Sequence, residues 1–472
     1  MNPSIQFPPL FLDKMAALLP DANEFNRFLE VSQRPLRKSI RINTLKVTPS
    51  QFIERAKQKG WHLDPIPWCE HGFWIEEQNQ TPLGNSAEHM SGWFYIQEAS
   101  SMLPVTALFQ NQNNYQTILD CAAAPGSKTT QIAAQMNNQG LLIANEYSAS
   151  RLKVLHSNIE RCGVVNTALT HFDASIFKDW LPEAFDAVLL DAPCSGEGTV
   201  RKDADALKNW SQASCLSIAE TQKQLIESAF HALKPGGRLV YSTCTLSPEE
   251  NQQICQYLLE VFGDAVSIDP LTSLFPQCEN ALTKEGYLHV FPQTFDSEGF
   301  FIARFTKNTS TMTGTNKTKK GKLPFTQATR GQKQAISEQL QRDFELTLPE
   351  HLELWFRDKE VWLFPSSINP LLNKVRFSRI GIKIAETYNK GVRWKHQLAT
   401  CLGHHIAPSH CCELSTEEAR EWFMGRDVRP AITGKGEVLV TYQGMVLGLG
   451  KWVSNRIKNG LPRELVRDNN LF

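Results

Sequence analysis

The 472-residue sequence predicts an α/β protein built round a doubly wound, mostly parallel sheet, with an α+β region before it and a β-rich region after it. Three observations carry that expectation. Between Gln97 and Phe305 short apolar runs alternate with amphipathic stretches, the order that builds a parallel sheet through right-handed crossovers. Runs such as Ala187-Val188-Leu189-Leu190 are apolar at every position, as strands covered on both faces must be. The stretch from Leu119 through Asp120, Cys121, Ala122, Ala123, Ala124, Pro125, Gly126, Ser127 and Lys128 to Thr129 reads as strand end, small-residue turn and helix start. In such a sheet this turn opens the ligand crevice, because small side chains let a ligand approach the backbone and the free N–H groups of the helix start face it. The turn is not GxGxxG, so a dinucleotide is not its expected ligand.

In order, Pro9–Leu19 and Ala22–Val31 read as amphipathic helices. The segment from Pro35 to Lys46 alternates like a strand, with Arg37, Ser39, Arg41 and Asn43 on one face. That face suits phosphate or base contacts, or a solvated edge. A helix is expected over Ser50–Lys59, capped by its serine. The aromatics Trp61, Trp68, Phe73, Trp74, Trp93, Phe94 and Tyr95 read chiefly as small-domain core. In the central region strands are expected at Thr117–Cys121, Leu141–Asn145, Thr167–Phe172, Ala187–Leu190, Arg238–Ser242, Tyr287–Phe291 and Phe300–Phe305. Helices are expected at Lys128–Met136, Ser148–Cys162, Ser217–Leu233 and Pro248–Val261. The short connection between the last two strands predicts an antiparallel hairpin at one edge.

From Arg304 to Lys333 there are eight Lys or Arg and no Asp or Glu, which reads as a basic linker. Beyond it, Lys374–Ile384 alternates like a strand, and Glu437–Tyr442 with Met445–Leu449 form a hairpin through Gln443-Gly444. The tail from Lys451 to Arg463 reads as basic and irregular. His404, His405, His410, Cys411 and Cys412 cluster, but adjacent Cys-Cys and His-His are poor chelating spacings, so no metal is expected. Formal net charge is zero, so any surface for nucleic acid must be local. No secretory leader and no membrane-length apolar run are read, and the scattered cysteines suit a reduced cytoplasmic chain.

Three acids fall at expected strand ends, where this fold places ligands. Glu146 follows the second strand, Asp173 the third and Asp191 the fourth. Each alone suits a helix cap; three in succession after a Gly/Pro turn favour a nucleoside-bearing cofactor. Cys194 follows the fourth strand and Cys244 the fifth. Thiols at the mouth of one crevice can attack as thiolates. Beside such a cofactor, one reaction fits. Thiolate addition to C6 of a cytosine makes C5 carbanion-like and able to accept a methyl group from a sulfonium, once the base is unstacked.

The Asp120–Thr129 turn, Asp191-Ala192-Pro193-Cys194-Ser195-Gly196 and Ser242-Thr243-Cys244-Thr245 together resemble the Nol/Nop/Sun family of RNA 5-methylcytosine methyltransferases. Arg41-Ile42-Asn43-Thr44 and Gln97-Glu98-Ala99-Ser100-Ser101 add to the likeness, which covers residues 35–305. The resemblance implies a Rossmann-like class I methyltransferase fold and S-adenosylmethionine as cofactor. It places Ala122, Ala123, Ala124, Pro125, Gly126, Ser127 and Lys128 on the methionine side. Glu146 falls at the ribose, Asp173 at the adenine and Asp191 near the reacting centre. It makes Cys244 the nucleophile and gives Cys194 the task of assisting product release; DNA cytosine methyltransferases use their Pro-Cys cysteine instead. Many relatives carry cysteine where Ala122 stands.

The region after 334 is similar to the extension and PUA-like module of a bacterial 16S rRNA methyltransferase of this family. That likeness implies a cytosine in 16S rRNA, within the 30S subunit, as substrate. The expected organisation is 1–100 N-terminal RNA-binding region, 101–306 methyltransferase domain, 307–333 linker, 334–390 extension and 391–472 PUA-like RNA-binding domain, acting as a monomer. The alternatives are a tRNA substrate, which the motifs do not separate, and a catalytically idle RNA-binding assembly factor. The full set of cysteines and acids argues against the idle binder.

Overall fold

The structure, a computed structural model, describes residues 5–77, 82–312, 323–389 and 391–467. Near the N-terminus β1 (Ser39–Ile42), β2 (Trp61–Pro65), β3 (Gly72–Glu77) and β4 (Phe94–Ile96) form an antiparallel sheet in the order β2-β3-β1-β4. β1 is an interior strand and all four of its residues are buried, which corrects both expectations for its polar face. Ser39 donates to the Gln97 carbonyl at 2.6 Å, and Asn43 to the carbonyls of Gly92 and Cys162 at 2.8 and 2.9 Å. Arg41 donates to the Gln97 side chain at 2.9 Å and to Thr130 Oγ1 at 2.8 Å. Arg37 lies over the Trp74 ring at 4.3 Å and pairs with Asp64 at 2.7 Å. The period-2 polar residues therefore tie this sheet together and fasten it to the central domain. They are not a free RNA face.

The helices Pro9–Leu18 and Ala22–Ser32 form close to where periodicity puts them. They pack through Phe11, Met15 and Phe28 against Val200, Leu207 and Leu246, loop residues of the central domain. The helix Pro49–Gln58 is capped by Thr48, not Ser50. Thr48 and Gln51 form a reciprocal capping box and Pro49 takes the first turn, where its missing N–H costs nothing. Trp61, Trp68, Phe73, Trp74, Trp93, Phe94 and Tyr95 are all buried.

The central sheet contains the parallel strands β5 (Thr117–Asp120), β6 (Leu141–Asn145), β7 (Thr167–Thr170), β8 (Phe185–Asp191) and β9 (Leu233–Thr243), in the order β9-β8-β5-β6-β7. β10 (Val266–Ile268), β11 (Leu288–Val290) and β12 (Phe300–Lys307) extend it antiparallel from β9, with β10 and β11 both pairing to β12. The β11–β12 pairing is the expected hairpin; β10 is a three-residue strand that periodicity could not register. Ile118 and Leu119 are fully buried in two different cores, one on each face. Burying such a side chain contributes about 1.5–3 kcal/mol. The helix Gln212–Ala232 begins before the expected Ser217 because Ser211 caps it. Strand order reverses at β5, with β6 on one side and β8 on the other, and in such sheets the crevice opens there.

On the C-terminal side, β13 (Thr326–Gln327), β14 (Leu352–Arg357) and β15 (Glu360–Pro365) precede β16 (Arg379–Ile380), β17 (Ile382–Tyr388) and β18 (Gly391–Trp394). All but β16 form an antiparallel sheet in the order β13-β14-β15-β17-β18. β16 instead pairs antiparallel with β7 and lengthens the central sheet. Gly381, between β16 and β17, sits at φ +56°, and a Cβ there would lie 1.9 Å from the Leu363 carbonyl oxygen. This splits the single strand expected over Lys374–Ile384. The expected linker is claimed from both ends, by β12 and by β13 with the helix Arg330–Phe344; residues 313–322 lie outside the described residues. The last sheet orders β19 (Cys411–Glu413), β20 (Glu437–Tyr442), β21 (Met445–Val453) and β22 (Arg456–Asn459). Gln443 and Gly444 both have positive φ, 47° and 78°, as a two-residue hairpin turn requires. The tail expected to be irregular supplies β22. Among the described residues no helix is long and apolar enough to cross a membrane.

Candidate active site

β5 ends on Asp120, and the chain turns to Gly126 at φ +108° before the helix Ser127–Gln135. A Cβ at Gly126 would lie 3.1 Å from Leu155 Cδ1, so the turn admits little else. Asp120 is buried and accepts from Thr129 Oγ1 at 2.7 Å; burial pushes its carboxyl up to about 7. Glu146, at the end of β6, is buried against the turn. Its carboxylate accepts the Ala124 N–H at 3.3 Å and the Ser148 N–H at 2.8 Å. Asp173, beyond β7, is exposed and accepts the Ser175 N–H at 2.9 Å. Asp191 ends β8, taking the Ser242 hydroxyl at 2.8 Å on one oxygen and Lys128 Nζ at 2.7 Å on the other. Lys128 also donates to Ser101 Oγ at 3.0 Å, and its ammonium lies 5.4 Å from the Phe300 ring centroid. Burial alone would lower the Lys128 ammonium, but Asp191 more than offsets it, so the group is held above its ordinary value. Glu146 and Asp191 thus meet the small-residue turn directly, while Asp173 stands at the exposed outer end.

Cys194 and Cys244 follow the adjacent strands β8 and β9, and their sulfurs are 3.4 Å apart. The two thiols move in opposite directions. A hydrogen bond to Cys244, and then burial, push Cys194 well up. The same hydrogen bond lowers Cys244 against the opposing effect of burial, with Lys128 helping. Either thiol can donate across this contact, and the opposite directions favour the thiolate on Cys244 over Cys194. The Cys244 loop is fixed by the Gly198 N–H, which donates to the Cys244 carbonyl at 2.9 Å, and Gly198 in turn accepts the Gly299 N–H at 2.9 Å. A Cβ on Gly198 would lie 2.3 Å from the Gly299 oxygen, so only glycine lets the three segments meet.

Sequence reasoning missed the acids that hold this arrangement. Buried Glu250 accepts the Ser195 N–H and hydroxyl at 2.9 and 2.5 Å, Gln222 Nε2 at 3.0 Å and Thr245 Oγ1 at 3.2 Å. It joins the two cysteine loops, and burial raises its carboxyl. The signal was Ser247-Pro248-Glu249-Glu250, read as a helix start; the helix begins only at Gln252, which frees Glu250 to turn inward. Fully buried Glu197 accepts Trp210 Nε1 at 2.6 Å, Ser247 Oγ at 2.5 Å and the Leu246 N–H at 3.2 Å. Lys14 of the N-terminal helix reaches the same loop, 2.6 Å from Ser247 Oγ and 2.9 Å from Glu249.

Comparison with known proteins agrees with this architecture. Residues 106–306 match the family described as 16S rRNA methyltransferase RsmB/F. Residues 7–99 match the N-terminal domain of 16S rRNA methyltransferase RsmF, 325–402 the pre-PUA domain of ribosomal RNA small subunit methyltransferase F and 409–467 the RsmF PUA domain. Proteins named ribosomal RNA small subunit methyltransferase F from Vibrio parahaemolyticus and Vibrio campbellii are 61% and 60% identical to this chain, over 100% of both chains. A solved methyltransferase homologue from Pyrococcus horikoshii is 32% identical at TM-score 0.52, covering 64% of this chain and 100% of that one. NSun6 from Pyrococcus horikoshii, at 22% identity and TM-score 0.57, covers 64% of this chain and 99% of that one and speaks to the fold alone. With four successive domain matches and identity near 60% from end to end, the chain belongs to the ribosomal RNA small subunit methyltransferase F family of 16S rRNA methyltransferases.

Proposed function

We propose that this chain transfers the methyl group of S-adenosylmethionine to C5 of a cytosine in 16S rRNA, through a transient bond between Cys244 and C6. The observation that carries the reading is the sulfur pair, 3.4 Å apart and split so that Cys244 ionises first. The residues fit the cofactor, since the acids at the ends of β6, β7 and β8 follow one another round the turn at the strand-order reversal. The turn from Ala122 to Lys128 would hold the methionine end, Glu146 the ribose diol, Asp173 the adenine and Asp191 the neighbourhood of the transferred group. When bound, the sulfonium supplies an electrophilic methyl group.

The rest is done by the chain's own residues. The Cys244 thiolate adds to C6 of an unstacked cytosine and leaves C5 electron-rich. After C5 has taken the methyl group, solvent accepts its proton, the C5–H pair re-forms the C5=C6 bond, and the C6–S pair leaves with Cys244 as its thiolate. Cys194, the thiol pushed up, donates to the departing Cys244 sulfur and so assists that departure. Region 391–472 holds the RNA, and the substrate is the small subunit in the cytoplasm; the names of the relatives and the PUA match support this. The test is a pair of substitutions assayed with 16S rRNA and 30S subunits. Cys194→Ala should accumulate a denaturant-resistant protein–RNA adduct, and Cys244→Ala should give neither adduct nor transfer. Retained transfer by Cys244→Ala overturns the assignment. Bisulfite mapping of rRNA and tRNA from cells lacking the protein identifies the nucleotide, and a change confined to tRNA overturns the substrate.

A further inference from the structure

The seam between β7 and β16 carries a groove that the reaction above does not use. It encloses about 600 Å³, within the size range of small-ligand sites. Arg357, Arg376, Arg379 and His171 line it together with the rings of Phe325 and Phe377; among the described residues no Asp or Glu does. No part of the Ala122–Lys128 turn reaches its wall either, so the groove is separate from the cofactor crevice.

Its walls are fixed to the catalytic sheet. β16 pairs with β7, and the Ser378 N–H donates to the Leu169 carbonyl at 2.8 Å. Arg357, the last residue of β14, is held by Glu360 at 2.7 Å and lies 5.1 and 5.3 Å from the Phe325 and Trp362 ring centroids. Arg379 donates to Glu160 at 2.9 Å and to Gln397 at 2.6 Å. Both guanidiniums are engaged through Nε and Nη2, and among the described residues Nη1 of each stays open to another acceptor. Arg376 is different. It is exposed and, among the described residues, enters no hydrogen bond or ion pair. Phe377 beside it is half-buried against the core and, among the described residues, stacks on no other ring. An uncommitted guanidinium suits a phosphate, and an uncovered ring suits a base. Side by side they fit one nucleotide of a single strand.

The place of the groove identifies the strand. His171 follows the end of β7 as Cys244 follows the end of β9. The strands from β9 to β7 run parallel, so both residues stand on one rim of the sheet. Four strand spacings separate them, about 19 Å, a distance that a few nucleotides of one chain can bridge. We propose, resting on the reading of 16S rRNA as substrate, that this groove holds a single-stranded nucleotide of the same RNA away from the target base. Its phosphate lies on Arg376 and the open Nη1 groups of Arg357 and Arg379, and its base stacks on Phe377.

The test is filter binding of the full chain to 30S subunits lacking the modification, across roughly 50 to 200 mM salt, beside single-turnover methyl transfer. Arg376→Ala lowers RNA affinity about fivefold and flattens the slope of log affinity against log salt by about 0.7, one single-strand phosphate contact. Arg376→Glu lowers affinity at least about thirtyfold. Phe377→Leu keeps the apolar packing and removes the stacking face, so affinity falls about tenfold with the salt slope unchanged. Each loss shows in the 30S concentration needed for half-maximal transfer, not in the rate at saturation. Arg376→Glu within about twofold of wild type overturns the proposal. So does an Arg376 loss that leaves the salt slope unmoved, or a loss confined to S-adenosylmethionine affinity. Should Phe377→Leu not fold, the Arg376 slope decides alone. A wild-type chain that binds 30S subunits but labels no cytosine overturns the reaction proposed above and leaves the groove standing; one that binds no RNA overturns both.

Discussion

Glu250→Ala cuts the tie between the two cysteine loops, and its cost follows from the four hydrogen bonds the carboxyl accepts. Two come from hydroxyls, Ser195 and Thr245, which already lie 2.7 Å apart and can satisfy each other. Two come from N–H groups, Ser195 N at 2.9 Å and Gln222 Nε2 at 3.0 Å, of which only Gln222 has another acceptor, the Pro193 carbonyl. A buried donor left unmade costs about 1–3 kcal/mol. With the void added, the loss is about 4 kcal/mol, or about 10 °C in the melting temperature of a domain this size. Glu250→Gln keeps a carbonyl for the N–H donors and turns its amide to the hydroxyls, which can reverse; the cost falls to about 1 kcal/mol. Calorimetry reads the difference, and single-turnover methyl transfer should fall at least about tenfold in the alanine variant as the sulfur pair loses its spacing. An alanine variant as stable as the glutamine one, or one with unchanged transfer, refutes this account.

Three further outcomes are expected. Asp120 has its carboxyl raised from 3.8 to about 7, so its contribution to stability is fully present below about pH 4 and is lost as pH rises through 7. At about 1.4 kcal/mol per unit that loss approaches roughly 4 kcal/mol. Asp120→Asn should therefore flatten melting temperature against pH in that window and exceed wild type at pH 8; an unchanged slope refutes it. Cys194→Ala removes the donor that lowers Cys244, so the pH midpoint of Cys244 alkylation, followed by mass spectrometry, should move upward, and an unmoved midpoint refutes the pairing. Gly381→Ala places a Cβ 1.9 Å from the Leu363 oxygen, which should unseat β16 from β7, split the thermal transition in two and weaken RNA binding; a single unshifted transition refutes the coupling.

The α/β core was legible because its signals are local and redundant. Ala187-Val188-Leu189-Leu190 has no polar face and so must lie between two layers, and the turn after Asp120 announces itself by composition. The cysteines were legible because each stands at a strand end. The acids that position them were not. Glu250 looks like an ordinary first-turn residue, and its significance lies in partners such as Ser195, 55 residues away. Arg41 failed for the opposite reason. An alternating polar face signals a surface only if no second domain covers it, and strand periodicity is silent about what packs on top. β10 and β16, at three and two residues, are too short to carry a period.

The seam between β7 and β16 bears on how a substrate is chosen. A tethered grip could swing until it found something to hold, and would then tolerate many shapes. Here the C-terminal modules are stitched to the catalytic sheet by backbone hydrogen bonds, Ser378 N–H to the Leu169 carbonyl at 2.8 Å and Gly381 N–H to the Thr167 carbonyl at 2.9 Å. The fold thus behaves as a caliper whose jaws are set. If the chain acts as proposed above, an RNA would be chosen by whether its own architecture offers a base and a handhold at the matching gap, by span more than by the letters read.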